Sequence, residues 1–393
     1  MTVSGTSAAP LRVLYSFPHA IGAPGIGTTA LQQVVALRRA GAVVVVVCAS
    51  VAPGVALEDT ITTLVIAGRR IPHRAFGRID DALAFHDRRV ARMLRGGGFD
   101  VVHTWPSGAL RTLLAAQSTG VLGTRESPNT HTAHAYAVAR DEALRVGSPS
   151  VRGQSHHPNP RRLAREEAEF RAARLILVPS ERVSETFVEA GVDEAKLARH
   201  RYGFDPAVFH PIGRTDDGSR PFTAVFAGSA EPRKGLHYAL EAWRRSGIGA
   251  DGRFRILGRF APGYRERLGS LLEQPGVEVA GFSDDLAGEF RAADVLVLPS
   301  VEEGSALVGY EAQACGCVPL LSRSAGGQFR PGLDGFLHED RDAETLAEQL
   351  RLLHGDPGTL RRMRESCLDG AAALTWDAAG VRMLEIFSAA LGR

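Results

Sequence analysis

Lysine is nearly absent from this chain: of 46 Lys and Arg residues only Lys196 and Lys234 are lysine. The arginine bias is that of a GC-rich, bacterial coding sequence, so a lysine at a particular place asks for a reason. An excess of charge of one sign is lacking too. The basic residues face 44 acidic ones, for a formal net charge of +2, which removes any broad pull towards nucleic acid and leaves charged partners to local recognition. Cysteine is sparse, and Cys48, Cys315, Cys317 and Cys367 include no CxxC pair, so neither a zinc site nor a dithiol redox site is expected. A reduced, cytoplasmic protein fits this usage. Long hydrophobic runs are missing as well. The longest, "AVVVVVCA", falls far short of the ~20 apolar residues that span a bilayer, and "MTVSGTSAAPLRVLYSF" has no basic segment leading into an apolar one. Neither export nor membrane insertion is expected.

What is present is enough for sizeable cores: 393 residues, 44% of them hydrophobic, which at ~100–200 residues per domain implies about two domains. Short β-branched runs alternate with amphipathic segments. "LRVLYSF" and "AVVVVVCAS" flank the helical pattern "TTALQQVVALRRAG", a βαβ unit, and "TLVIA", "DVVHTW", "GVLGTRE" and "LILVPS" read as further strands. The series restarts at "PFTAVFAG" and continues through "FRILGR", "VEVAGF", "DVLVLPS" and "CVPLLS". The expectation is an α/β protein of two doubly wound, Rossmann-like domains facing across a cleft: residues 1–212, residues 213–375, and a C-terminal helix at 376–393 packing back on the first domain. A Gly-, Pro- and Asp-rich linker is placed near residues 210–220. The polar segment Asp141–Arg165 reads either as an excursion over the cleft or as plain surface loop.

In open α/β sheets ligands bind beyond the carboxyl ends of strands, so the chemistry is sought there. In "VFAGSAEPRKGLHYALEAW" an apolar strand ends at Gly228, and Arg233 and Lys234 stand where the next helix begins, beside free backbone N–H groups. A solvated basic pair is the plain alternative, but one of two lysines in the chain occupies the spot. One strand later, "VEEGSALVGYEAQACG" puts Glu303 in the loop and Glu311 about two turns into a helix of small and apolar residues. The N–H groups of Gly304 to Leu307 make a second anion site, and a carboxylate at Glu311 needs a partner such as ribose hydroxyls. Glycines 22, 25 and 27 follow the first strand without the GxGxxG spacing of dinucleotide binders, which suits a close-approach loop over phosphates as well as a flexible turn.

"EEGSALVGYEAQACG" resembles the glutamate, seven residues, glutamate motif of retaining GT-B glycosyltransferases, and the second half is similar to glycosyltransferase family 4, the group 1 glycosyl transferases. "FAGSAEPRKGLHYALEAW", "SAGGQFRPGLDGFLHED" and "LTWDAAGVRMLEIFSAAL" carry the same resemblance, and "GFDPAVFHP" with the segment before it extends it to the first domain. The resemblance implies a nucleotide-sugar donor, with Arg233 and Lys234 on its diphosphate, Glu311 on the ribose, and Glu303, Gly304 and Ser305 against the donor sugar. Backbone N–H groups of Ser305, Ala306, Leu307 and Val308, and the loop of Gly25 and Gly27, would hold phosphate oxygens. His131 in "TRESPNTHTAHAY" would contact the donor sugar and count with Glu303 as catalytic, while Gly258, Arg259 and Phe282 would line the nucleobase. The reaction implied is hexosyl transfer (EC 2.4) with retention, needing no metal or other cofactor, to a hydroxyl of a glycan, glycolipid or small natural product. No DxD-like metal motif follows a strand. Ser229 stands where family members often carry arginine, and "EGSA" replaces EGFG, which keeps open a binding-only protein; a nucleotide-sugar epimerase is the other alternative. The basic, amphipathic stretch Gly68–Arg95 suits either a solvated helix face or weak peripheral contact with the inner face of a membrane.

Overall fold

The computed structural model describes residues 9–66, 68–71, 73–147, 156–214 and 220–393. The first domain contains β1 (Arg12–Ile21), β2 (Val43–Val51), β3 (Thr60–Thr62), β4 (Val65–Ile66), β5 (Arg69–Arg70), β6 (Val101–Thr104), β7 (Leu122–Glu126), β8 (Leu175–Val178) and β9 (Leu197–Arg199). Its helices are α1 (Ile26–Arg39), α2 (Ile79–Arg95), α3 (Leu110–Thr119), α4 (Thr132–Arg145), α5 (Pro160–Ala172) and α6 (Glu181–Glu189). Seven strands pair in the order β3-β2-β1-β6-β7-β8-β9, all parallel, while β4 and β5 form a separate antiparallel pair.

The second domain has β10 (Phe222–Ala227), β11 (Gly252–Leu257), β12 (Val277–Gly281), β13 (Val295–Leu298), β14 (Val318–Ser322) and β15 (Phe336–His338) in the order β12-β11-β10-β13-β14-β15, again all parallel. Around it lie α7 (Leu236–Ser246), α8 (Tyr264–Leu268), α9 (Leu286–Ala292), α10 (Leu307–Ala314), α11 (Ala343–Gly355) and α12 (Pro357–Gly370). The central strands are apolar along their whole length because helices cover both faces, and β13 is buried at every residue. Strand order reverses between β1 and β6 in one sheet and between β10 and β13 in the other, so each has a crevice at the carboxyl ends of those strands.

The last helix, α13 (Trp376–Ala390), returns to the first domain. Met383, Ile386 and Phe387 join its core, and Gly380 lies so close to Ala36 of α1 that a Cβ there would meet the Ala36 carbonyl at 2.5 Å. A smaller apolar cluster, including Tyr202, Phe204, Tyr310 and Trp376, ties α10 to this crossing segment.

The run "TLVIA" does not form a strand of the main sheet. The pairing strand is the preceding "TIT", and the run itself turns away after Thr63 and Leu64, whose N–H groups take the Cys48 and Ala49 carbonyls. Edge strands β9 and β15 lie in three-residue stretches with no apolar run to announce them. Of the Asp141–Arg165 segment, Asp141–Arg145 completes α4 and Pro160 opens α5; residues 148–155, and residues 215–219 of the expected linker, lie outside the described residues. All four cysteines are buried free thiols. Among the described residues no helix is long and apolar enough to cross a membrane, and α2 packs Leu83, Val90 and Leu94 inward while presenting Arg88, Arg92 and Arg95 to solvent.

Candidate active site

The loops after β10 and β13 end neighbouring strands at the second-domain reversal, and they are bolted together through backbone. Val301 N–H donates to Arg233 O at 2.8 Å. Gly235, at φ 70°, passes so close to β13's exit that a Cβ would lie 2.0 Å from Pro299 O, so only glycine fits between this turn and the start of α7. Arg233 and Lys234 are thereby set opposite Glu302 and Glu303.

Three carboxylates surround the two cations. Arg233 Nη2 lies 2.7 Å from Glu231 Oε1, and Arg233 Nη1 reaches Glu302 O at 2.9 Å, Glu302 Oε2 at 3.3 Å and Glu303 Oε2 at 3.4 Å. Lys234 Nζ pairs with Glu303 Oε2. Burial pushes the Glu303 carboxyl up, but Lys234 and Arg233 more than reverse it and hold it below its ordinary value. The Arg233 Nε–H is buried and meets no partner among the described residues. The cluster therefore keeps a donor in reserve.

The glutamate loop also meets the first domain. Gly304 lies under the Pro128 carbonyl, where a Cβ would come within 1.7 Å, and its own carbonyl accepts from Ser180 Oγ at 2.6 Å. Thr130 Oγ1 donates to Glu302 Oε1 at 2.7 Å, and His156 Nε2 lies 3.3 Å from Glu302 Oε2. Glu302, Thr130, Ser180 and His156 were not singled out from sequence. The doubled glutamate of "VEEG" and the doubled histidine of "QSHHPNP" are the signals by which two of them could have been found.

Beyond Gly304 the expected phosphate cradle is narrower than the motif suggests. Ala306 N–H is not free: it donates to Ala325 O at 3.1 Å because the loop before α10 is pinned to the segment after β14. The Ser305 hydroxyl is likewise engaged, donating to Gly326 O at 2.8 Å and lying 2.7 Å from Tyr310 Oη. Leu307 and Val308 open α10, where N–H groups have no intrahelical acceptor. Glu311, half-buried one turn further on, has its carboxyl pushed up to about 7 by burial, with no cation or hydrogen-bond donor among the described residues pulling it back.

Arg259 and Phe282 follow β11 and β12, with the guanidinium 5.6 Å from the centre of an exposed ring. Arg259 O accepts Ala230 N–H at 2.9 Å, and Gly258 abuts Gly228, so this cation–ring platform adjoins the loop that carries Arg233. Gly25 and Gly27 sit at the first-domain reversal, where Gly22 N–H closes the loop on Gly27 O at 2.8 Å and a Cβ on Gly27 would strike Ala20 O at 2.6 Å.

His131 is not brought to this cluster. It caps α4, with Nδ1 accepting from Ala133 N–H, and its ring is buried between Phe170 and Phe187 at centroid distances of 5.3 and 5.2 Å. Its backbone N–H is held by Thr186 Oγ1 of α6, and its ring packs between Phe170 of α5 and Phe187 of α6. His134 lies 3.9 Å from Glu189. Among the described residues His156 touches the glutamate loop directly, through Glu302.

Residues 24–208 match the family described as Glycosyltransferase Family 4, and residues 221–356 the one described as Glycosyl transferases group 1. The chain is also 30% identical over 369 residues to D-inositol 3-phosphate glycosyltransferase of Pseudarthrobacter chlorophenolicus, spanning 87% of this chain and 82% of that one. The chain is a family 4 glycosyltransferase. The transferase superposes on sucrose-phosphate synthase from Thermosynechococcus elongatus with a TM-score of 0.70 at 20% identity, covering 97% of this chain and 99% of that one. It superposes on Anabaena Alr3699/HepE, solved with UDP-glucose, with a TM-score of 0.65 at 15% identity, covering 96% and 100%. At these identities the likeness is one of fold, the GT-B pairing of two Rossmann-like domains.

Proposed function

We propose that this transferase moves a sugar, with retention of anomeric configuration and without a metal ion, from a nucleotide-sugar donor to a hydroxyl acceptor. The observation that carries the reading is the convergence of Arg233, Lys234, Glu303 and Glu311 on one strand-order reversal, with Glu311 finding no partner among the described residues. Arg233 and Lys234 would take the diphosphate, whose developing charge they and the N–H groups of Leu307 and Val308 stabilise as the glycosyl–phosphate bond breaks. Ribose hydroxyls would donate to Glu311. The Arg259–Phe282 platform offers a face for the base.

Glu303 sits on both cations, so a diphosphate that takes them displaces that carboxylate towards the donor-sugar hydroxyls, the role proposed for it. The carboxylate orients the sugar and does not attack it. The acceptor O–H bond breaks as its oxygen bonds to the anomeric carbon, and the proton passes to the departing phosphate oxygen. The cations and helix N-termini supply the leaving-group stabilisation for which a metal would otherwise serve.

A thermal-shift screen of the full chain against nucleotide sugars, with UDP-glucose first, tests the donor class. A bound donor at 100 times its Kd raises stability by about 2.7 kcal/mol. A uniform absence of shift across UDP-, GDP-, ADP- and dTDP-sugars defeats the reading.

A further inference from the structure

Glu302 is fully buried, and its carboxylate is divided between the two domains. Oε1 accepts from Thr130 Oγ1 of the first domain at 2.7 Å. Oε2 is contested: Arg233 Nη1 of the second domain and His156 Nε2 of the first each lie 3.3 Å from it. A carboxylate only accepts, so His156 Nε2 carries its hydrogen. Burial lowers the His156 imidazole below its ordinary pKa, which leaves the ring a neutral hydrogen-bond donor.

Within the second domain Glu302 and Arg233 cannot part. Val301 N–H is bonded to Arg233 O, and Arg233 Nη1 reaches Glu302 O at 2.9 Å, so the carboxylate stays beside the guanidinium. Arg233 also faces Glu231 and Glu303, and Lys234 faces Glu303, which sets two cations among three carboxylates. On charge alone that cluster does not favour a diphosphate. What a diphosphate meets depends on how much of Arg233 the carboxylates take up. Buried carboxylate oxygens need partners. Thr130 and His156 supply them to Glu302 from outside the cluster. Deprived of these two, Glu302 has Arg233 as the arginine or lysine within ion-pair reach among the described residues, and settles wholly on it.

Both first-domain groups are held in place. Thr130 directly precedes His131, whose N–H is bonded to Thr186 Oγ1 and whose side chain caps α4. His156 adopts φ 60°, the left-handed region that a residue with a side chain occupies when its surroundings impose it. Pro128 and Ser180 of the same domain clasp Gly304. The first domain thus grips the residues on either side of Glu303.

We infer that Thr130 and His156 are positioning residues of the donor site: by holding the Glu302 carboxylate from the first-domain side they keep Arg233 available to a diphosphate. Affinity for the nucleotide then depends on hydrogen bonds made to Glu302. The inference rests on the donor site proposed above, because it assigns Arg233 to the diphosphate.

Isothermal titration of the full chain with UDP, GDP, ADP and dTDP, in the wild type and in a double-mutant cycle on Thr130 and Glu302, tests it. Thr130→Val keeps the shape and removes the hydroxyl. It should weaken the nucleoside diphosphate that the wild type binds by about tenfold, and Thr130→Ser should keep the wild-type affinity to within about twofold. Glu302→Gln, which takes the charge off the contested group, should bind that nucleotide at least as tightly as the wild type. Adding Thr130→Val to Glu302→Gln should then change affinity by less than about twofold, an effect that a merely structural Thr130 would not show. His156→Gln should follow the same pattern, and it decides if Thr130→Val does not fold. Unchanged affinity in Thr130→Val, or the same loss with and without Glu302, overturns the inference while nucleotide binding by the wild type leaves the donor reading standing. If no nucleoside diphosphate binds the wild type, the donor reading fails and the inference falls with it.

Discussion

The Lys234 ammonium of the loop after β10 lies against the Glu303 carboxylate of the loop after β13, and Arg233 Nη1 approaches the same oxygen at 3.4 Å. The two sides of the proposed donor site thus hold each other. Removing either side has opposite consequences. Lys234→Ala should weaken nucleoside diphosphate binding by about 10- to 100-fold, the worth of one charge-assisted hydrogen bond. Glu303→Gln should tighten nucleoside diphosphate binding several-fold, because a competing anion is gone, while donor turnover falls by about 100-fold or more. Titration calorimetry beside a turnover assay separates these effects. A Glu303→Gln variant that binds the diphosphate more weakly would contradict the competition.

Glu311 supplies a pH signature. Burial lifts its carboxyl to about 7, above the unfolded value, so its contribution to stability is fully present below about pH 4.5 and is lost as pH rises through about 7. Ribose hydroxyls donate best to the ionised form. Nucleotide affinity should therefore climb by up to about tenfold per unit between pH 5.5 and 7 and then level off. Glu311→Gln should bind nucleotide weakly and without that slope, as calorimetry at stepped pH would reveal.

Glu142 of α4 joins the domains. Fully buried, it accepts from His237 Nε2 at 2.9 Å, Tyr238 Oη at 2.6 Å and Arg341 Nε at 2.8 Å, all of the second domain. His237 and Tyr238 lie in the first turn of α7, just past Lys234. Glu142→Ala strands these donors and should cost about 3–5 kcal/mol of stability or open the cleft, visible as a larger radius in solution scattering. Burial raises the Glu142 carboxyl, but its three partners bring it down to about 2. Its contribution should hold above about pH 4.5 and fade as pH falls towards 2.

His131, expected at the donor sugar, is a helix cap, and His156, not singled out from sequence, stands at the glutamate loop. His131→Ala removes an α4 cap and a ring between Phe170 and Phe187, and should lower stability by about 1–3 kcal/mol with kcat/KM changed less than threefold. His156→Ala, at the Glu302 contact, should lower kcat/KM by about tenfold or more with little change in melting temperature. A large catalytic loss in His131→Ala would return that residue to the site.

The second domain was the more legible half because its central strands are buried on both faces and announce themselves as apolar runs ending in Gly228 and Pro299–Ser300, with Arg233, Lys234 and Glu303 just beyond. Edge strands β9 and β15 carry no such pattern. Glu302, Ser180 and Glu142 were hidden for another reason: each acquires its role from a partner in the other domain, which local spacing does not encode. The Ala306 N–H is the converse case, since the motif marks it as free and only the neighbouring Ala325 carbonyl shows it taken. His131 misleads because a histidine after a strand end is equally able to cap the next helix.

The most direct measurement of the central claim is the release of nucleoside diphosphate from nucleotide sugars, followed by proton NMR with wild type and with Lys234→Ala in parallel. The expected result is slow hydrolysis of one donor by the wild type, accelerated by a suitable acceptor, with the anomeric configuration of the donor kept in the transferred sugar and the rate cut by about 100-fold or more in the variant. Equal, near-zero rates for both proteins across the donors that bind would contradict it.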